Sequence, residues 1–117
     1  MINISVIITT YNRPDLLSIV LQALEKQTDL VFEVVIADDG STQETSDLIV
    51  TFQKKNILSI QHVWQEDNGF QAAKIRNKGI LFAKREYIIF LDGDCVPRPH
   101  FIAKHRSLAE TGYFCRR

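Results

Sequence analysis

Four apolar runs recur along this chain at residues 3–9, 32–37, 57–64 and 86–91, each separated from the next by a stretch of helical periodicity. That alternation constrains the fold more than any other feature. After the first run, Pro14 sits at a helix start, where its missing N–H costs nothing. Leu16, Leu17, Val20, Leu21 and Leu24 then form one apolar stripe. Leu48, Ile49 and Phe52 make the next stripe, and Gly69 opens a third helix running to about Lys84. Pro97 and Pro99 precede a last helical stretch through about Glu110. Regular β-α alternation predicts an α/β fold, with about four mostly parallel strands and helices on both faces.

Three of the four runs end in polar clusters. These are Thr9-Thr10-Tyr11-Asn12, Asp38-Asp39-Gly40-Ser41 and Asp92-Gly93-Asp94. In parallel sheets, ligands bind beyond the carboxyl ends of the strands, so the three clusters are expected to converge on one cleft. Alternate residues of an extended backbone face the same way, so Asp92 and Asp94 can share one target. Two acidic oxygens suit a hard divalent cation and the phosphates it carries. Gly93 lets a ligand approach the backbone. The plainer reading remains beside this one: a polar turn closes the fourth strand, and Asp38 and Asp39 cap the second helix.

At 117 residues the chain reads as one domain over 1–117. Fourteen Lys and Arg balance 14 Asp and Glu, so no basic excess points to nucleic acid. The first apolar run is too short to span a membrane and lacks the flanks of a signal peptide. Cys95 and Cys115 fit no metal or redox spacing, which leads us to expect a reduced, cytoplasmic protein with structural thiols and Cys95 packed.

Four pieces in order resemble the nucleotide-binding half of glycosyltransferase family 2, of the GT-A type. They are residues 6–13, residues 36–42, Gly69 with Ala73, Arg76, Asn77 and Gly79, and Asp92-Gly93-Asp94. The run 65–71 followed by Arg76-Asn77 is similar to the branch containing chondroitin polymerases and polypeptide N-acetylgalactosaminyltransferases. The resemblance implies a Rossmann-like three-layer half-domain with strand order 3-2-1-4. It implies a UDP-sugar donor, and a glycan or lipid-linked saccharide as acceptor. It places Asp94 on the metal, Mn2+ or Mg2+, with Asp92 on the ribose or a metal-bound water, and Asp39 on the uracil N3–H. Asp38 would approach the ribose or base, and Thr9, Tyr11, Asn12 and Arg13 would line the nucleotide. Asp67, Gln71, Arg76 and Gly93 complete the nucleotide-binding set. Family members are considerably longer, and in inverting enzymes their second half supplies the acceptor pocket and the base. The chain is therefore expected to be a donor-binding portion truncated before that half, with no catalytic base of its own and little activity alone. Peripheral association with the inner face of a membrane is compatible with such a role.

Several further expectations follow. Arg76 lies close to the sheet-facing side of the third helix, where an unpaired charge is costly, so it should pair with Asp39, Asp92 or the nucleotide. Ala72, Ala73, Ile80 and Ala83 should make that helix's sheet contacts. Lys74 and His62 should face solvent, and Trp64 belongs to core or rim. His100 lies near the metal motif, within approach of a diphosphate. The fourth strand should be an exposed sheet edge that favours self-association. Two other classes stay open: a nucleotidyltransferase, and a non-catalytic nucleotide-binding or assembly module. The first is disfavoured because Thr10-Tyr11-Asn12-Arg13 is not a glycine-rich phosphate loop.

Overall fold

The computed structural model describes residues 3–69, 71–84 and 86–110. Strand β1 (Ile4–Thr10) leads to helix α1 (Pro14–Glu25), then β2 (Glu33–Asp38) and α2 (Gln43–Lys54). Strand β3 (Ser59–Trp64), helix α3 (Ala72–Phe82), β4 (Tyr87–Asp92) and α4 (Phe101–Glu110) follow. The four strands form one parallel sheet in the order β3-β2-β1-β4, as the family resemblance implied. Cys115 lies outside the described residues.

Strand alternation assigns the two faces. Val6, Ile8, Val34, Ile36, Ile89 and Leu91 point to one side, where they meet Leu17, Val20, Leu21, Leu24, Ile49, Phe52 and Ile102. Helices α1, α2 and α4 cover that side. Ile7, Val35, Ala37 and Val63 point to the other, against Ile75 of α3. Strands β1 and β2 are buried on both faces, which explains their unbroken apolar runs.

Helix α3 differs from expectation. Ala73 and Ile80 are exposed, and the sheet contacts come from Ile75, Gly79 and the half-buried Ala83. A Cβ at Gly79 would lie 3.0 Å from Ile7 Cγ2 and 3.4 Å from Ala37 Cβ. Absence of a side chain there lets α3 lie close on the sheet. The side chain of Ala72 is outside the described set.

Helix α4 is fastened to the α1–β2 connection. Buried Gln27 donates from Nε2 to the Arg98 carbonyl at 2.6 Å, and its Oε1 accepts the Ile102 N–H at 3.0 Å. The Thr28 N–H donates to the Pro99 carbonyl at 2.9 Å. Arg106 pairs with Asp29 at 2.5 Å and also donates to the Val31 carbonyl. That guanidinium holds the Asp29 carboxyl below the usual carboxylate range. Among the described residues strand β4 pairs with β1 alone, so it is the sheet edge expected.

Candidate active site

The site forms where β1, β2 and β4 end. Thr9, Asp39 and Asp92 follow Ile7, Ala37 and Phe90 by two residues each, so all three continue the α3 face of the sheet. A cleft of about 270 Å3 there is lined by Thr9, Thr10, Tyr11, Asp39, Ile75, Arg76 and Asp92. Tyr11, Asp39, Asp67 and Gly69 line a smaller recess of about 120 Å3 beside it. Thr9 Oγ1 is 3.5 Å from Asp92 Oδ1.

Asp39 is 5% exposed. Its Oδ1 accepts from Gln65 Nε2 at 2.7 Å and its Oδ2 from the Gln71 N–H at 2.9 Å. An ionised carboxylate offers about four lone-pair sites, so Asp39 keeps capacity for a further donor. The segment after β3 is thus tied to the end of β2. The Gln65 N–H also donates to the Asp38 carbonyl, and Asp67 packs directly on Gly40. Gly40 has φ +92°, and a Cβ there would lie 2.6 Å from backbone atoms of Asp67. Tyr11 closes the segment from the other side, donating to Asp67 Oδ2 at 2.6 Å. That hydrogen bond, with the Asp67 charge, raises the Tyr11 phenol above its ordinary value.

Asp38 is turned away. One residue before Asp39, it falls on the opposite face of the sheet, where Oδ1 accepts the Ser41 N–H at 2.9 Å and Oδ2 meets His62 Nε2 at 2.9 Å. Expected near the ribose or base, Asp38 lines neither recess. His62, expected to face solvent, is half-buried against this carboxylate. Trp64 lies on the rim, 51% exposed, its Nε1 donating to the Ser41 carbonyl.

Asn12 organises the loop: its N–H donates to Ser41 Oγ at 2.7 Å and its Oδ1 accepts the Thr42 N–H at 2.8 Å. Arg13 is exposed and pairs with Asp15 at 2.9 Å, which holds Asp15 at about 2. Gln71 contributes its N–H to Asp39, while its side chain bonds the Asn68 carbonyl.

Of the partners expected for Arg76, neither carboxylate is taken up. It forms no ion pair with Asp39 or Asp92; its guanidinium stands 5.4 Å over the Phe90 ring, and its buried Nε has no hydrogen-bond partner. It borders the cleft and a second cavity of about 350 Å3 lined by Phe90, Leu91, Asp92, Cys95, Phe101 and His105. A cation over a ring face keeps part of its stabilisation without a carboxylate.

The acidic turn closes when the Cys95 N–H donates to the Asp92 carbonyl at 3.0 Å. Gly93 does more than admit a ligand, since a Cβ there would lie 2.6 Å from the Thr9 carbonyl oxygen. Asp92, Asp94 and Cys95 are exposed, and one ligand atom of each lies within 4.8 Å of the others. Cys95 was expected to be packed; it is an exposed free thiol instead. Desolvation, with the Asp94 and Asp92 charges, raises it above the usual thiol range. His100 turns towards Thr28, with Nδ1 3.3 Å from the hydroxyl oxygen.

A sequence model of glycosyl transferase family 2 matches residues 5–115. The chain belongs to that family. The hyaluronan synthase of Pasteurella multocida is 44% identical over 110 residues, covering 93% of this chain and 11% of that protein. The chondroitin synthase of Escherichia coli is 36% identical over 106 residues, covering 90% of this chain and 15% of the synthase. The chain thus spans a small fraction of the length of these relatives. Among solved structures, S. aureus TarS 1–349 in complex with UDP-GlcNAc superposes with a TM-score of 0.84 at 28% identity, covering 93% of this chain and 31% of that one. A mannosyltransferase from Pyrobaculum calidifontis in complex with GDP-Man and Mn2+ gives 0.79 at 26% identity, covering 91% and 32%. The fold of this family member is therefore that of GT-A glycosyltransferases.

Proposed function

We propose that this family 2 domain is the donor-binding portion of a divalent-metal-dependent, inverting glycosyltransferase that uses a UDP-sugar. One observation carries the reading: Thr9, Asp39 and Asp92 reach one cleft from three strand ends, with Tyr11 and Arg76 on its walls. Binding of UDP-GlcNAc by TarS supports the choice of donor.

Each residue has a role in keeping with its surroundings. Asp39 accepts the uracil N3–H with the lone pairs that Gln65 and Gln71 leave. Tyr11, held by Asp67, walls the base. Arg76 retains an unused buried donor, Nε, for a phosphate oxygen. Asp92 and Asp94 present clustered carboxylate oxygens, a donor set that fits Mn2+ or Mg2+. When bound, such an ion supplies positive charge against that building on the departing diphosphate. The acceptor is a glycan or lipid-linked saccharide, and the carboxylate that deprotonates it comes from outside these residues. The length of the relatives supports that division. No helix among the described residues is long and apolar enough to cross a membrane. A peripheral site of action at the inner membrane face is part of the proposal.

Calorimetric titration of UDP, with GDP as control, in the presence and absence of Mn2+ tests this. We expect Mn2+-dependent UDP binding that Asp94→Ala abolishes and GDP does not reproduce. Equal binding of UDP and GDP, or UDP binding indifferent to both metal and Asp94, overturns the reading.

A further inference from the structure

The acidic turn at the end of β4 carries a third potential ligand, and it is not oxygen. Cys95 follows Asp94 directly, and the Cys95 N–H to Asp92 carbonyl bond folds it back beside the two acids. Its sulfur lies 3.8 Å from Asp94 Oδ1. One ligand atom from each of Asp92, Asp94 and Cys95 falls within a 4.8 Å span, close enough to meet on one ion after small side-chain rotations. The turn itself is well anchored. It leans on β1 through Gly93, whose α-carbon faces the Thr9 carbonyl at a distance that admits no side chain. Thr9 and Asp92 are also paired in the sheet register. The thiol is in no disulfide, and it borders the second cavity with Asp92 and Arg76.

We propose that Cys95 makes this centre a mixed sulfur–oxygen site, which takes Zn2+ or Cd2+ through Asp92, Asp94 and the Cys95 thiolate in competition with Mn2+ or Mg2+. The inference rests on the proposed metal role of the two acids. Hard ions gain little from sulfur and bind through the carboxylates alone. Zn2+ and Cd2+ gain a thiolate bond, and an Asp-Asp-Cys set leaves a fourth position open. Mn2+ and Zn2+ therefore do not see the same ligands, and selectivity against Zn2+ must come from metal availability. Cys95 is thus a specificity-determining residue for the metal rather than a catalytic one. Replacement of the thiol by hydroxyl preserves size and leaves both carboxylates in place.

Two spectroscopic readouts on the folded chain test this. Mn2+ binding is followed by the loss of free-ion electron paramagnetic resonance signal. Cd2+ binding is followed by the ultraviolet thiolate-to-metal charge-transfer band. We expect wild type, Cys95→Ser and Cys115→Ser to bind Mn2+ alike. The Cd2+ band should appear in wild type and in Cys115→Ser, vanish in Cys95→Ser, and require more Cd2+ in Asp94→Ala. Displacement of Mn2+ should need about tenfold more Cd2+ in Cys95→Ser than in wild type. A Cd2+ band that survives Cys95→Ser, or is lost only in Cys115→Ser, overturns the inference while Mn2+ binding stands. A band that does not weaken in Asp94→Ala shows a lone thiol and overturns it too. Failure of Mn2+ to bind wild type, with the band dependent on Cys95 and Asp94, instead removes the Mn2+ reading and leaves the thiol site in place.

Discussion

Replacing Gly40 by alanine should cripple the domain through a contact on which no other sequence feature bears. Its φ of +92° lies in the left-handed region, which costs an L-residue about 1–2 kcal/mol. The added Cβ would also meet Asp67 at 2.6 Å, and the atoms it meets include the backbone N and Cα, which no rotamer change can move. Overlap of that kind adds about 1–3 kcal/mol. The sum, about 2–5 kcal/mol, is a large share of the stability of a small domain. Gly69→Ala is the matched control: its φ is +85°, but nothing lies within 4 Å of its Cβ position. It should cost only the backbone term, about 1–2 kcal/mol. The gain from stiffening the unfolded chain is common to both and cancels in the difference. Urea denaturation of the two variants gives that difference directly. Gly40→Ala should also displace Asp67 from Tyr11 and weaken UDP binding in the surviving folded fraction. Equal destabilisation by the two substitutions would refute the reasoning, because it would mean that the 65–69 segment yields freely at Asp67.

Tyr11 should ionise late. Spectrophotometric titration of wild type against Tyr11→Phe isolates its transition, expected above 10 and moved back towards 10 by Asp67→Asn; no movement in Asp67→Asn would exclude the hydrogen bond as its cause. Folding raises this pKa, so the bond's stabilisation is whole below pH 10 and lost as pH rises through the folded value. Asp29 has the opposite sign. Its folded pKa is depressed by Arg106, so the pair's stabilisation is present above the ordinary value of 3.8 and lost as pH falls through the lower, folded one. Asp29→Asn should therefore cost about 1–3 kcal/mol at neutral pH. That gap should shrink in acid-denaturation comparisons below pH 4; a gap independent of pH would count against the ion pair as its source.

The elements were legible because strand and helix periods differ so clearly here, and the resemblance supplied the strand order. The convergence of polar clusters was legible because parallel strands all end on one side. What was lost lay in facing. Alternation along β2 already separates Asp38 from Asp39, so only one of two adjacent acids could reach the cleft. That parity was available in the sequence. For His62, alternation with apolar neighbours suggested solvent and gave no sign of the buried carboxylate beside it. On α3, small residues drew attention to Ala73, whereas the close contact is made at Gly79 beside Ile75. Arg76 sits over the Phe90 ring of β4, a partner that carries no formal charge, and no local signal joins the two. Glu33, a buried acid at the start of β2, accepts from Ser5 Oγ of β1 and from the Lys84 N–H of the α3–β4 connection, which no spacing rule anticipates.

The pairing of β1 with β4 has a consequence for how the domain comes into being. Thr9 and Asp92 are register partners in adjacent strands, yet residues 10–91 all lie between them in the sequence. Closing so long a loop is entropically costly and slow, and nothing local rewards it beforehand. During synthesis, β1, β2 and β3 can assemble while β4 is still unmade, giving a three-stranded sheet that carries Asp39 with no acidic turn beside it. The cleft is therefore incomplete until β4 has docked beside β1. A ligand bridging Asp39 and Asp92 would then stabilise a junction between segments far apart in the sequence.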